Sequence, residues 1–201
     1  MSPIRNLIKD VDRLWDRAGQ GKICLSIIGS AALMLQTSYE RGTKDSDILE
    51  AASLKAETKD RLLQLAGHGT DLYRRHRVYL EFVAPGIPFL PQNPLFHLVG
   101  DLNEELAHFE IEVLDVADVV VSKLKRFHAN DVSDIEAMVN LEKVDHARMI
   151  ERFRAAVETY AMDARAEDLP RYVRNLHRIE RDCFQAPETP IELPSWIDGA
   201  E

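Results

Sequence analysis

The sequence predicts an α+β fold, with strands and helices in the first part of the chain and helices alone in the second. Short apolar or alternating stretches, which are typical of strands, occur at residues 23–28, 78–83 and 108–114. Apolar residues spaced three or four apart, which are typical of amphipathic helices, occur over residues 3–18 and again after residue 115. We therefore expect a sheet-containing core that is flanked by helices and followed by a C-terminal helical part.

Length and composition limit how this fold is organised. The chain of 201 residues is long enough for one sizeable domain with an appendage. We expect a core over residues 1–140, a helical extension over 141–185 and an extended tail over 186–201, where proline and glutamate are frequent. Cys24 and Cys183 belong to no motif, and we expect both of them to be reduced.

Charge and hydropathy exclude some classes of function. The net charge of −9 argues against a broad nucleic-acid-binding surface, although it is compatible with a local basic groove. No apolar run reaches the roughly 20 residues that a membrane-spanning helix needs. Charged residues interrupt the N-terminal stretch, which is therefore unlike a signal peptide. We expect a cytoplasmic protein with no membrane partner.

The first two elements lead directly to the residues of greatest interest. Ser2 suits the N-cap of the helix predicted over residues 3–18, and Pro3 suits its first position. The strand predicted over residues 23–28 is apolar on both faces, which is typical of a strand in the centre of a sheet. We expect this strand to run into a turn and then into a second helix.

Two short motifs follow that central strand. Gly29 and Ser30 form a turn at the start of a helix, where free backbone N–H groups favour phosphate. Asp45 and Asp47 stand at the start of the next predicted strand, and residues two apart on a strand point to the same face. Adjacent carboxylates repel each other unless a cation lies between them, and their oxygen atoms suit Mg²⁺. A phosphate site beside a metal-binding acid pair is what phosphoryl or nucleotidyl transfer requires.

The order of these residues resembles a known signature. Gly29-Ser30, a short helix and then Thr43-x-Asp45-x-Asp47 are similar to the motif of the nucleotidyltransferase superfamily, which has a polymerase-β-like fold. The small bacterial members, which include AbiEii-like toxins and DUF6036-like proteins, resemble the chain most. The resemblance implies that the two aspartates bind metal and act in catalysis, and that the other three residues bind the nucleotide.

The resemblance covers residues 23–140 and implies more than this motif. It implies a small mixed β-sheet, a two-ion Mg²⁺ site and an NTP substrate such as ATP. It also implies a third metal-binding, catalytic carboxylate from a neighbouring strand. Glu81 fits that place best, because alternation places it with Tyr79 on one face of an otherwise apolar strand, where a buried charge needs a partner. Glu112 is the rival, and an exposed position opposite the core is the alternative for Glu81.

One residue between the paired acids departs from the family pattern. Ser46 stands where the family usually has an apolar residue. The departure weakens the expected local packing of the strand but leaves both acids in place.

A second passage resembles another part of the family signature. Asp118, Lys123, Asp131 and Asp134 follow one another at spacings that are similar to those of the small bacterial members. The resemblance implies that Lys123 approaches the nucleotide phosphates. It also implies that Asp131, and more weakly Asp134, lies near the reaction centre. Asn130 stands where the family usually has a basic residue. The alternative is a pair of helices with solvated charges and a capping aspartate.

A basic helix near the C-terminus has two interpretations. Four arginines spaced three or four apart align on one helix face and could follow an RNA backbone. Glu180 and Asp182 partly neutralise that face, so a solvated or salt-bridged surface is the simpler interpretation. The four residues are Arg171, Arg174, Arg178 and Arg181.

We therefore expect a Mg²⁺-dependent nucleotidyltransferase that moves an NMP from an NTP to an acceptor. The acceptor is a protein, a tRNA or a small molecule, and the acidic charge slightly favours a protein or a small molecule. The nearest resemblance implies a toxin with an antitoxin partner. One alternative is a catalytically inactive module of the same fold that binds a nucleotide or a protein. Another is an unrelated α/β domain in which Asp45 and Asp47 only cap a turn.

Overall fold

The structure is a computed structural model that describes residues 2–16, 21–161 and 164–197. It divides into two compact units. The first consists of Met1–Ile87 and Phe96–Asp115, and the second consists of Pro88–Leu95 and Val116–Glu201. The boundaries that the sequence predicts at residues 140 and 185 stay predictions.

One mixed sheet organises the first unit. Within the described residues it has five strands in the order β3-β2-β1-β5-β4. β1 is central, as predicted, and pairs with β2 antiparallel and with β5 parallel. β2 and β3 run parallel, and β4 and β5 run antiparallel. The strands are β1 (Ile23–Ile27), β2 (Asp45–Leu49), β3 (Tyr79–Val83), β4 (Phe96–Leu98) and β5 (Phe109–Leu114).

The helices of the first unit are of very different lengths. α1 ends at Leu14 rather than near residue 18, and residues 17 and 18 lie outside the described part of the chain. Sequence analysis does not predict α4, α5 or β4, because elements of six, four and three residues are too short to show a period. The helices are α1 (Pro3–Leu14), α2 (Gly29–Gln36), α3 (Ala56–Ala66), α4 (Asp71–His76) and α5 (Gly100–Asn103).

The two faces of the sheet differ in burial. One face of the sheet is apolar and buried, as shown by Leu25, Ile48, Leu80 and Ile111, which are 0–3% exposed. The helices α2 and α3 contact the strands, and α1 packs against both helices. The other face is more open, since Cys24 on β1 is exposed. β1 therefore contributes to the core mainly through one face, although the sequence predicts two apolar faces.

The second unit is helical, as the sequence predicts for the C-terminal part. Its core includes packed aromatic rings, among which Phe89 contacts Phe153, Tyr160 and Tyr172 at centroid distances of 5.0–5.4 Å. The elements are α6 (Val116–Arg126), α7 (Ala129–Asn140), α8 (His146–Tyr160), a 3₁₀ turn (Ala164–Asp168), α9 (Leu169–Ile179) and a π-helical turn (Glu180–Phe184).

Three of the four arginines on the basic face of α9 and of the turn that follows it form ion pairs. Arg171 pairs with Asp168, Arg178 pairs with Asp182, and Arg181 pairs with Glu188. These pairs agree with the salt-bridged interpretation of the arginine stripe. In the ranges that the structure describes, no helix is both long enough and apolar enough to cross a membrane.

Candidate active site

Three carboxylates from two neighbouring strands meet on the open face of the sheet. Asp45 and Asp47 belong to β2, and Glu81 on β3 is the register partner of Asp47. One oxygen atom from each of the three side chains lies within 4.8 Å of the others. Among the described residues, this acid triad is the one group of three or more potential metal ligands.

The alternation of β2 places the two aspartates on the same face. Ser46 and Ile48 are 0% and 1% exposed and point into the core, so Asp45 and Asp47 point to the opposite face. The hydroxyl of Ser46 is buried and has no hydrogen-bond partner in the described part of the chain. A buried hydroxyl without a partner costs free energy, so an apolar residue would suit this position better than serine.

A threonine side chain orients the first acid of the triad. Thr43 lies two residues before β2, and its Oγ1 donates a hydrogen bond to Asp45 Oδ1 over 2.8 Å. This bond restricts the rotation of an exposed carboxylate. Thr43 is thus in contact with the triad, and its predicted contact with a nucleotide stays a prediction.

The start of α2 lies against the second acid of the triad. Gly29, its first residue, has a φ of +65°, a left-handed conformation that a side chain would strain. A Cβ atom at this position would lie 3.0 Å from Asp47 Oδ2. The backbone N–H of Ile28 donates to the carbonyl oxygen of Asp47 over 2.9 Å. The partly positive N-terminus of the helix, with Ser30 in its first turn, therefore lies beside this acid.

The chemistry of the triad fits a divalent cation. Three carboxylates within a few ångström offer the oxygen ligands that Mg²⁺ prefers, and their mutual repulsion favours a bound cation. Their negative charge also acts on the neighbouring side chain of Tyr79. Burial raises the pKa of the Tyr79 hydroxyl, and the charges of Glu81, Asp45 and Asp47 raise this pKa further.

The rival third acid lies elsewhere on the sheet. Glu112 is on β5, which β1 separates from β2. Its Oε1 accepts a hydrogen bond from Ser26 Oγ over 2.5 Å. The structure groups Glu81, and not Glu112, with the two aspartates.

A comparison with protein families agrees with this geometry. The model of one family, described as "Nucleotidyltransferase of unknown function (DUF6036)", matches residues 3–180. The chain belongs to this family. The match confirms the superfamily that the two motifs indicate, and it supports a nucleotide substrate and transfer of a nucleotidyl group. A search of curated proteins and a search of solved structures each found no match.

The second motif of this DUF6036 protein lies in the second unit, where its charges compensate one another. Lys123 is 6% exposed, and its Nζ lies 2.7 Å from Asp134 Oδ2 and 3.4 Å from Asp131 Oδ1. Arg126 donates two hydrogen bonds of 2.9 Å to Asp131. Asp131 also accepts a hydrogen bond of 3.0 Å from the backbone N–H of His128. The predicted roles of Lys123, Asp131 and Asp134 at the nucleotide stay predictions.

Asp118, the first residue of that motif, has partners that its sequence position does not indicate. Arg152 binds it in bidentate fashion, through Nε–Oδ1 and Nη2–Oδ2 contacts of 2.6 and 2.8 Å. The backbone N–H of Leu95 donates to the same carboxylate over 2.8 Å. Asp118 therefore joins α6 to α8 and to the loop before β4.

Sequence reasoning missed one feature beside the triad. The rings of His68, Tyr73 and Tyr79 are in mutual contact, with centroids 4.8–5.6 Å apart. The alternation of β3, which places Tyr79 on the face of Glu81, was the available signal. Nothing in the local sequence indicates that the other two rings meet Tyr79.

Proposed function

We propose that this chain is a metal-dependent nucleotidyltransferase that moves an NMP from an NTP to an acceptor. The observation that carries the proposal is the acid triad of Asp45, Asp47 and Glu81 beside the N-terminus of α2, in a family of nucleotidyltransferases. In the reaction, a nucleophilic oxygen of the acceptor bonds to the α-phosphorus of the NTP. The bond from that phosphorus to the bridging oxygen breaks, and pyrophosphate leaves.

Different residues of the chain would bind the metal, orient its ligands and bind the phosphates. Asp45, Asp47 and Glu81 would hold Mg²⁺, which would neutralise part of the negative charge of the triphosphate. Thr43 fixes the direction of the Asp45 carboxylate. Gly29 leaves room beside Asp47, and the first N–H groups of α2 point to where phosphate oxygens would be favoured. Catalysis in this scheme consists of positioning and electrostatic stabilisation.

The acceptor is the less defined part of the proposal. A protein, a tRNA and a small molecule all offer a suitable oxygen nucleophile. The net charge of −9 favours a protein or a small molecule over a nucleic acid. A toxin role with an antitoxin partner rests on the resemblance to the small bacterial members alone.

Transfer of a radiolabel tests the function directly. Purified protein is incubated with Mg²⁺, a cell extract and each α-labelled NTP in turn. The Asp47→Asn variant is assayed in parallel, and Asp60→Asn, which changes an exposed aspartate on α3, is the matched control. We expect a labelled product from the wild type and the control, and a rate at least roughly a hundredfold lower from Asp47→Asn.

The outcomes separate the alternatives. The nuclease and protease sensitivity of a labelled product identifies the class of acceptor. Equal labelling by the wild type and Asp47→Asn would show that the triad does not hold the metal that transfer requires. If no NTP gives a product while Mg²⁺-NTP raises the thermal midpoint of the wild type only, the chain is an inactive binding module. If neither effect occurs, the triad is not a nucleotide site.

A further inference from the structure

Three aromatic side chains form a packed cluster in the first unit, which we call the ring cluster: His68, Tyr73 and Tyr79. The His68 and Tyr73 centroids are 4.8 Å apart and their planes are inclined by only 34°. Tyr79 meets both rings nearly at right angles, at 5.2 and 5.6 Å. Because each pair of rings is already in contact, no further ring fits between them. A planar ligand would have to bind on the outer surface of the cluster.

That outer surface is accessible. His68 is exposed, and Tyr73 and Tyr79 are each half-buried. The His68 and Tyr73 rings are tilted against each other and partly overlap, so each ring can offer only its outer face to a ligand. The T-shaped contacts with Tyr79 hold this surface against the edge strand of the sheet.

The ring cluster adjoins the acid triad. Tyr79 is the register partner of Asp45 in the ladder between β2 and β3, and it precedes Glu81 by two residues on the same face. The charges of all three acids act on its hydroxyl, as the raised pKa of Tyr79 also indicates. A ligand that placed its charged end at the triad would therefore have its next part close to Tyr79, through which it could reach the other two rings.

We propose that the ring cluster is the platform on which the base of the nucleotide stacks. This inference rests on the proposed function. An NTP carries a charged triphosphate at one end and a flat aromatic base at the other, and the first unit offers an acid triad next to exposed rings. Stacking on an aromatic side chain is tolerant of base identity, because every base has a π-face. We expect a modest preference for purines, whose two fused rings cover more of an aromatic face than the single ring of a pyrimidine.

Binding of two probes distinguishes base stacking from a purely structural role of the rings. The first probe is α,β-methylene-ATP, which cannot be cleaved at the α-phosphate, and the second is inorganic tripolyphosphate, which has no base. Both are titrated calorimetrically in Mg²⁺ into the full chain. The variants are Tyr73→Leu, which removes the ring, Tyr73→Phe, which keeps it, and His68→Leu, which changes an exposed residue.

We expect Tyr73→Leu to weaken α,β-methylene-ATP binding roughly 5- to 150-fold, the range for one base-stacking contact. Tripolyphosphate binding should stay within twofold of the wild type, and Tyr73→Phe should bind both probes as the wild type does. His68→Leu should weaken the nucleotide analogue in the same selective way. The His68→Leu variant provides the test if Tyr73→Leu does not fold.

Other results would overturn the inference. If a ring-removing variant loses affinity for both probes equally, or for neither, the rings only support the fold. If the wild type binds tripolyphosphate as tightly as α,β-methylene-ATP, the platform is absent while the triad proposal stands. If the wild type binds neither probe, the proposed function fails and the inference fails with it.

Discussion

Acidic residues in the two units have contrasting environments. In the first unit, Asp45 and Glu81 are exposed, Asp47 is half-buried, and the three carboxylates lie within 4.8 Å of one another. In the second unit, three aspartates are at most 1% exposed, and each pairs with an arginine or a lysine. Those three residues are Asp118, Asp131 and Asp134.

The contrast shows how burial and pairing separate structural acids from candidate ligands. A carboxylate that is removed from water must have a cationic or hydrogen-bonding partner, so the buried acids serve to join elements of the fold. The triad instead gathers like charges at an accessible face, which costs repulsion and gains nothing for packing. An arrangement of this kind is useful to a protein that binds a cation there.

The largest predicted effect is on the buried ion pair between Arg152 and Asp118. Arg152→Met leaves the carboxylate of Asp118, which is 0% exposed, without its bidentate partner, and should lower the free energy of unfolding by about 3–5 kcal/mol. Glu81→Gln, in the triad, should change it by less than about 0.5 kcal/mol. Urea unfolding measures both. Equal effects of the two substitutions would contradict the inference that the buried acids stabilise the fold and the triad acids do not.

The second prediction uses pH to test a buried acid. Burial by itself would raise the pKa of Asp131, but the hydrogen bond from Arg126 and the charge of Lys123 lower it from 3.8 to about 2. Because the folded pKa lies below the unfolded value, the stabilisation is complete above pH 4 and is lost as the pH falls from about 4 to about 2. It amounts to about 2 kcal/mol.

Unfolding of the wild type and of Asp131→Asn across that pH range measures this stabilisation. The difference in unfolding free energy between them should shrink as the pH falls below 4. A difference that stays constant down to pH 2 would show that the ion pairs of Asp131 do not stabilise the fold.

The third prediction concerns the space beside the triad. Gly29→Ala places a side chain on a residue with a φ of +65° and a Cβ 3.0 Å from Asp47 Oδ2. We expect a loss of about 1–2 kcal/mol in unfolding free energy and weaker Mg²⁺-dependent binding of tripolyphosphate. Gly42→Ala is the matched control, because a Cβ at Gly42 meets nothing within 4 Å. Similar behaviour of the two variants would mean that the close approach at Gly29 is unimportant.

The smallest predicted effect is a gain in stability. Ser46→Ala removes a buried hydroxyl that has no partner among the described residues, and should raise the free energy of unfolding by about 1 kcal/mol. Ser26→Ala removes a hydroxyl that donates to Glu112, and should not stabilise the protein. Differential scanning calorimetry compares the two. A loss of stability in Ser46→Ala would show that its hydroxyl is satisfied.

Local pattern was sufficient to predict much of the first half of the site. The apolar strand before Gly29 and the alternation around Asp45 and Asp47 identify the motif, and Ser46 is recognisable as a misfit from its place in that alternation. These features depend only on residues within a few positions of one another. The same holds for the helices α6 to α9, in which the apolar period repeats over enough residues to predict a helix.

The sequence by itself determined the α+β fold, the central β1, the Gly29 turn and the acid pair, because strand and helix periods are local properties of the chain. The tertiary structure placed Glu81, and not Glu112, beside the two aspartates, since this proximity depends on the order of the strands in the sheet. It also decided the pairing of Asp118 with Arg152, 34 residues later, and the meeting of the three rings of the ring cluster. Such contacts join residues far apart in the chain, and only the packing of complete elements brings them together.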